Sequence, residues 1–145
     1  MLGIILTGHG GFASGMAQAM TQVLGEQAQF EAVDFPQSST TALLTSQLTK
    51  ATKTLSNCDG IVFLTDLLGG TPFRVASTLA MQIPGCEVIT GTNLQLLLEM
   101  ALERDGLNGE AFRRQALVCG HRGLTSLADE LARERKEGSE PGDGI

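Results

Sequence analysis

The chain has no tryptophan and no tyrosine, and its six phenylalanines are scattered over 145 residues. No aromatic platform for stacked bases can be assembled from them. Basic residues are scarce as well. Lys and Arg number 10 against 16 Asp and Glu, a net charge of −6, so the clustered cations that nucleic-acid binding demands are missing. The three cysteines, Cys58, Cys86 and Cys119, are far apart, odd in number and without a CxxC spacing. They read as small buried thiols in a reducing compartment, not as disulfides or zinc ligands. The opening MLGIILTGHGG has no basic n-region, and no apolar run reaches the roughly 20 residues that cross a bilayer. A cytoplasmic protein with no metal, no cofactor and no direct membrane insertion is expected.

What the chain does have is enough apolar material, 42%, to bury a core in one domain. That domain is expected over residues 1–135, with 136–145 as a disordered tail rich in Gly, Pro and charge. Leu2 to Thr7 is a short apolar run ending in glycines and reads as a strand buried on both faces. Ser14 to Leu24 has apolar residues at helical spacing, with Ser14 or Gly15 as cap. Residues 30–35 form a second strand. Ser38 or Ser39 is expected to cap a helix to about Leu55. IVFLT, 61–65, is the strongest strand, followed by a Gly-rich loop and a helix from about Phe73 to Met81. A strand at 87–90 and helices over 94–104, 110–119 and 125–134 complete the pattern.

Strands alternating with helices predict an α/β fold, a three-layer sandwich around a mainly parallel sheet. Right-handed crossovers and a central first strand lead to the order 2-1-3-4, in which chemistry sits beyond the carboxyl ends of strands 1 and 3. The loops that meet there are Thr7-Gly8-His9-Gly10-Gly11 and Asp66-Leu67-Leu68-Gly69-Gly70-Thr71-Pro72.

His9 lies between glycines, where a ligand can approach, and an imidazole nitrogen is a competent nucleophile at neutral pH. Asp66 either opens a turn or accepts a hydrogen bond from the ring and fixes its tautomer. Gly10, Gly69, Gly70 and Thr71 are expected around a bound phosphoryl group, because the next helix begins there with free N–H groups. Thr71 reads equally as that helix's N-cap. Phe12, Leu67, Leu68 and Phe73 are expected to form an apolar rim for docking a protein, although Phe73 could as well be core. His121, in CGHRG, reads as a residue that ends a helix.

ILTGHGGFASG, FLTDLLGGTPF and VITGTNLQLLLE, in this order, resemble the mannose family of phosphotransferase-system enzyme IIA domains, over residues 1 to about 130. The likeness is nearest to the stand-alone subunit for N-acetylgalactosamine or galactosamine. It implies that His9 takes a phosphoryl group from phospho-HPr and passes it to a IIB component, with Asp66 holding the inner ring nitrogen and Thr71 near the phosphate. It further implies a homodimer, and membrane IIC and IID components reached indirectly. Family members exchange a C-terminal edge strand, whereas residues 125–134 here read as helix. The chain runs into GSEPGDGI, so a separate IIB polypeptide is expected.

Three rivals remain at this stage. Gly8 to Ala13 satisfies GxGxxA, with Asp34 where a ribose-binding acid would stand, as in a small dinucleotide-binding module. A receiver-type regulator needs an acidic pair after strand 1, which ILTGHGG lacks. A phosphocarrier module serving a dihydroxyacetone kinase would use His9 alike but deliver to a different acceptor.

Overall fold

A computed structural model describes residues 1–139. In chain order these form β1 (Gly3–His9), α1 (Phe12–Leu24), β2 (Phe30–Phe35), α2 (Thr41–Thr54), β3 (Ile61–Thr65), α3 (Thr71–Ala80), β4 (Glu87–Ile89), α4 (Leu94–Glu103), α5 (Gly109–Arg122) and α6 (Leu127–Ser139). The four strands make one parallel sheet in the order β2-β1-β3-β4, as expected from the alternation of elements.

The sheet is buried on both faces because its central strands are apolar along most of their length. All five residues of β3 are buried. Leu2, Ile4, Leu6, Val62, Leu64 and Ile89 pack on one face with Met20, Leu97, Met100 and Phe112 from α1, α4 and α5. Ile5, Ile61 and Phe63 pack on the other with Leu44, Leu48, Val75 and Ala76 from α2 and α3. Each such side chain contributes about 1.5–3 kcal/mol through removal from water. The register sets Thr7 beside Thr65 and His9 beside Phe35. The loops after β1 and β3 therefore open side by side at the carboxyl edge, where the chain's crossovers diverge.

Several local expectations need correction. Ser14 is not the cap of α1: the helix starts two residues earlier, with Gly11 as N-cap, and the Ser14 amide donates to Asp34 Oδ1 at 2.8 Å. A carboxylate from the neighbouring strand thus replaces a local cap. Neither Ser38 nor Ser39 caps α2; the Thr40 hydroxyl does, accepting from the Leu43 amide at 3.1 Å. The C-terminal segment is the helix α6 and adds no fifth strand among the described residues. Of the tail expected from residue 136, residues 136–139 are the end of α6; residues 140–145 lie outside the described residues.

One polar side chain holds the amino edge together. Arg104, just past α4, is 1% exposed. Its Nη1 donates to Leu2 O at 3.1 Å and Gln29 O at 2.8 Å, and its Nη2 to Ala28 O. Burial pushes this guanidinium down from its ordinary value, opposed by Cys58 and Asp105. The bonds join the starts of β1 and β2 to the end of α4. Arg104→Met would keep the apolar stem but strand buried carbonyls, so stability should fall by about 2 kcal/mol or more. A urea midpoint equal to that of the unaltered protein would show the carbonyls find other partners.

Candidate functional site

His9 ends β1 and Asp66 follows β3. The two are joined twice through one oxygen: Asp66 Oδ2 accepts from the His9 amide at 2.8 Å and lies 2.9 Å from the ring Nδ1. The His9 side chain is 44% exposed and that of Asp66 15%, so the ring faces solvent while its anchor does not. Burial acts to raise the Asp66 carboxyl, but the His9 amide and ring together outweigh it and hold the group below its ordinary value. Asp66 is therefore a carboxylate at neutral pH and can only accept. Nδ1 must then carry the ring proton, which leaves the Nε2 lone pair free and pointing away from the anchor.

The ring is also packed from its sides. Phe35 meets it edge to face, with centroids 6.0 Å apart, a favourable aromatic arrangement. The Gly10 amide donates to Phe35 O at 2.8 Å, so the turn after His9 is tied to β2. At Gly8 a Cβ would overlap the Phe12 ring and stand 2.9 Å from Asp66 Cγ. At Gly70 a Cβ would stand 2.6 Å from His9 Cε1 and 3.3 Å from Nε2. Gly70 has φ −70° and ψ 166°, which any residue adopts, and it is the N-cap of α3, a position that favours Ser, Thr or Asp. Glycine stands there because the ring occupies the space.

This geometry revises the expected phosphate donors. The Gly10 amide is engaged by Phe35 O and the Gly70 amide by Leu67 O at 3.1 Å, so neither is available. Gly69, with φ +78°, gives the loop its left-handed turn. Thr71 is the first helical residue, not the cap, and no hydrogen bond of its hydroxyl is found among the described residues. Its amide and that of Phe73 belong to the first turn, where intrahelical acceptors are lacking and anions are favoured. Leu67 and Leu68 are 57% and 73% exposed, while Phe12 and Phe73 are half-buried. His121 lies in the last turn of α5, on an element that takes no part in this site.

Three parts thus meet at the carboxyl edge: a nucleophilic nitrogen, a carboxylate that fixes its tautomer, and a helix N-terminus that accepts an anion. Together they suit phosphoryl transfer, where positioning and charge stabilisation are the protein's main contributions. A dinucleotide is disfavoured at the glycine turn, because the α1 N-terminus that would receive its pyrophosphate already holds the Asp34 carboxylate.

Residues 3–117 match the family described as PTS system fructose IIA component. The chain belongs to this family. It is 32% identical over 127 residues to YadI of Escherichia coli K12, described as a phosphotransferase enzyme IIA component, covering 88% of this chain and 87% of that one. It is 25% identical over 134 residues to the sorbose-specific EIIA component of Lacticaseibacillus casei, covering 92% and 96%. The crystal structure of an EIIA component from Streptococcus agalactiae superposes with a TM-score of 0.82 at 26% identity, covering 89% of this chain and 99% of that one. The protein is accordingly a phosphocarrier component of a sugar phosphotransferase system, a phosphotransferase that carries its group on a histidine. Its place in that system is between HPr and a IIB component.

The Gly70 contact separates stability from transfer. Gly70→Ala should leave unfolding free energy within about 1 kcal/mol, since the backbone suits alanine, yet displace the ring and slow phosphoryl uptake by roughly 10-fold or more. Thermal melting and a phosphorylation time course read the two effects. Unaltered uptake would show that the close approach of Gly70 to the ring has no functional weight.

Proposed function

We propose that His9 is the phosphorylated residue, with Nε2 as the attacking atom, in a relay from phospho-HPr to a IIB component. The bond between Nδ1 and Asp66 Oδ2 at 2.9 Å carries this reading, because it leaves one ring nitrogen able to attack. The chain has two histidines, and the family match over 3–117 includes His9 but not His121.

In the transfer step the Nε2 lone pair attacks the phosphorus held on the donor's imidazole. A new N–P bond forms as the old one breaks, and the donor ring, which carries a proton on its other nitrogen, leaves as neutral imidazole. The positive charge gained by the His9 ring rests on the Nδ1 proton facing Asp66, so no proton has to leave. The phosphoryl oxygens fall to the Thr71 amide and hydroxyl and the Phe73 amide at the start of α3. Leu67 and Leu68, with Phe12 and Phe73, form the apolar surface against which HPr and IIB dock in turn. The relay operates in the cytoplasm and reaches IIC and IID membrane components only through IIB. The sugar is of the N-acetylgalactosamine or galactosamine type, or a hexose. Relatives named for sorbose and fructose mark how readily the sugar varies in this family.

Incubation with phosphoenolpyruvate, enzyme I and HPr should place acid-labile, base-stable phosphate on the unaltered protein and on His121→Ala, and none on His9→Ala. Labelling of His9→Ala would refute the assignment.

A homodimer belongs to the same reading. Helix α6 makes little contact with the body of its own subunit, and Leu124, Leu127 and Leu131 are 84%, 76% and 44% exposed along it and the turn before it. Such an apolar stripe calls for a second surface, and a second copy of the chain supplies one. Sedimentation should give a dimer that becomes monomeric when the chain is cut before Leu127. A monomer at every concentration would exclude the dimer.

A further inference from the structure

A protein that must hold a phosphoryl dianion carries a net charge of −6, and its cations are unevenly placed. Up to Glu103 the sequence contains three, Lys50, Lys53 and Arg74. Lys50 and Lys53 lie in the later part of α2 (Thr41–Thr54), which runs from the carboxyl edge of the sheet towards the amino edge. Arg104 is buried at the amino edge. Arg113, Arg114, Arg122 and Arg133 each pair with a glutamate. Arg74, the fourth residue of α3, is exposed and has no ion-pair partner among the described residues.

The side chain of Arg74 turns back over the start of its own helix. Its Nε donates to Gly69 O at 2.7 Å. No further hydrogen bond is found for its two Nη nitrogens among the described residues. The Gly69 carbonyl belongs to the peptide that leads into Gly70, and Gly70 is the residue against which the His9 ring rests, as its missing Cβ would lie 3.3 Å from Nε2. Bond lengths along that path put Arg74 Nε within about 10 Å of His9 Nε2, roughly one Debye length at physiological ionic strength.

We infer that Arg74 is a positioning residue for phosphoryl transfer: it ties down the Gly69–Gly70 peptide that seats the His9 ring, and it supplies an uncompensated cation that favours the phosphorylated form. The inference rests on His9 being the phosphoryl carrier. The pairing of roles explains why arginine suits the position better than lysine. A guanidinium can give its inner nitrogen to the carbonyl and still present two outer nitrogens, whereas an ammonium is a single point charge on a flexible stem. The cation also offsets the Asp66 carboxylate, which holds Nδ1 correctly but adds negative charge beside a group about to become a dianion.

The test measures both the equilibrium ratio of phosphorylated to unphosphorylated protein against HPr and the approach rate, at low and high salt, for the unaltered chain, Arg74→Gln and Arg74→Lys. Arg74→Gln should lower the ratio by roughly 3- to 10-fold at low ionic strength, and the deficit should shrink as salt is added. Arg74→Lys should keep the ratio within about twofold, because the charge remains, but should slow the rate because the carbonyl is no longer pinned. A ring-nitrogen NMR spectrum should show a disturbed His9 environment in both variants. An Arg74→Gln ratio equal to that of the unaltered protein at low salt overturns the inference. Should Arg74→Gln fail to fold, Arg74→Lys decides: a rate and ring spectrum identical to the unaltered protein overturn it. If instead His9→Ala, run alongside, takes up phosphate, it is the assignment of His9 that fails.

Discussion

Asp66 Oδ2 takes two hydrogen bonds from one residue, the amide and the ring of His9, and most features of the carboxyl edge are conditions for that double bond. The amide bond fixes where β1 ends, and the ring bond fixes which nitrogen is free. Both require that β1 and β3 be neighbours in register, with Thr7 beside Thr65, so that the next residues of each strand can turn toward one another. Both also require that residue 8 have no side chain, because the carboxylate carbon and the Phe12 ring close over it. A larger residue at 8 would separate two loops that the apolar strands beneath had brought together.

Charge is organised around this bond in an economical way. The chain is acidic overall and places the Asp66 carboxylate beside the His9 ring, which on the proposed role of His9 also bears a dianion. The ring proton lies between the two negative groups, and the first turn of α3 faces the other side. On the proposed roles, partial positive charge at a helix N-terminus, the Thr71 hydroxyl and the Arg74 guanidinium together do what a basic patch does elsewhere. The proposed reading leaves partner docking to the exposed leucines of the same loop and stabilisation of the phosphoryl group to different residues.

Much of the fold was legible from one residue to the next. Residues 61–65 read as a strand because they are a short apolar run after a turn, and residues 30–35 read as one closed by Pro36; both are strands with those bounds. The helices were legible in kind but not at their ends. At α1 the cap comes from Asp34, 20 residues away, and no local pattern announces it. At α2 Thr40 capped in place of the serines before it, a choice set by the path of the chain after Pro36. The roles of the loop glycines were misjudged for a similar reason. Gly10 and Gly70 looked like phosphate donors, but their amides had already been taken by Phe35 and Leu67, acceptors that become neighbours only after folding. Arg74 and Arg104 drew no notice, because a lone arginine in a helix looks the same whether it faces water, pins a loop or is sealed beneath two strands.

By itself, then, the sequence determined the alternation of strands and helices, the parallel sheet, the central place of β1 and the two glycine-rich loops that carry an imidazole and a carboxylate. These depend on hydrophobic period and on turn chemistry, which are properties of neighbours in the chain. Only the tertiary structure decided which atom of Asp66 meets which atom of His9, which amides remain free for an anion, and why residues 8 and 70 must be glycine. Those are facts about contacts between segments roughly 60 residues apart, set by strand register and packing, and no local pattern encodes them.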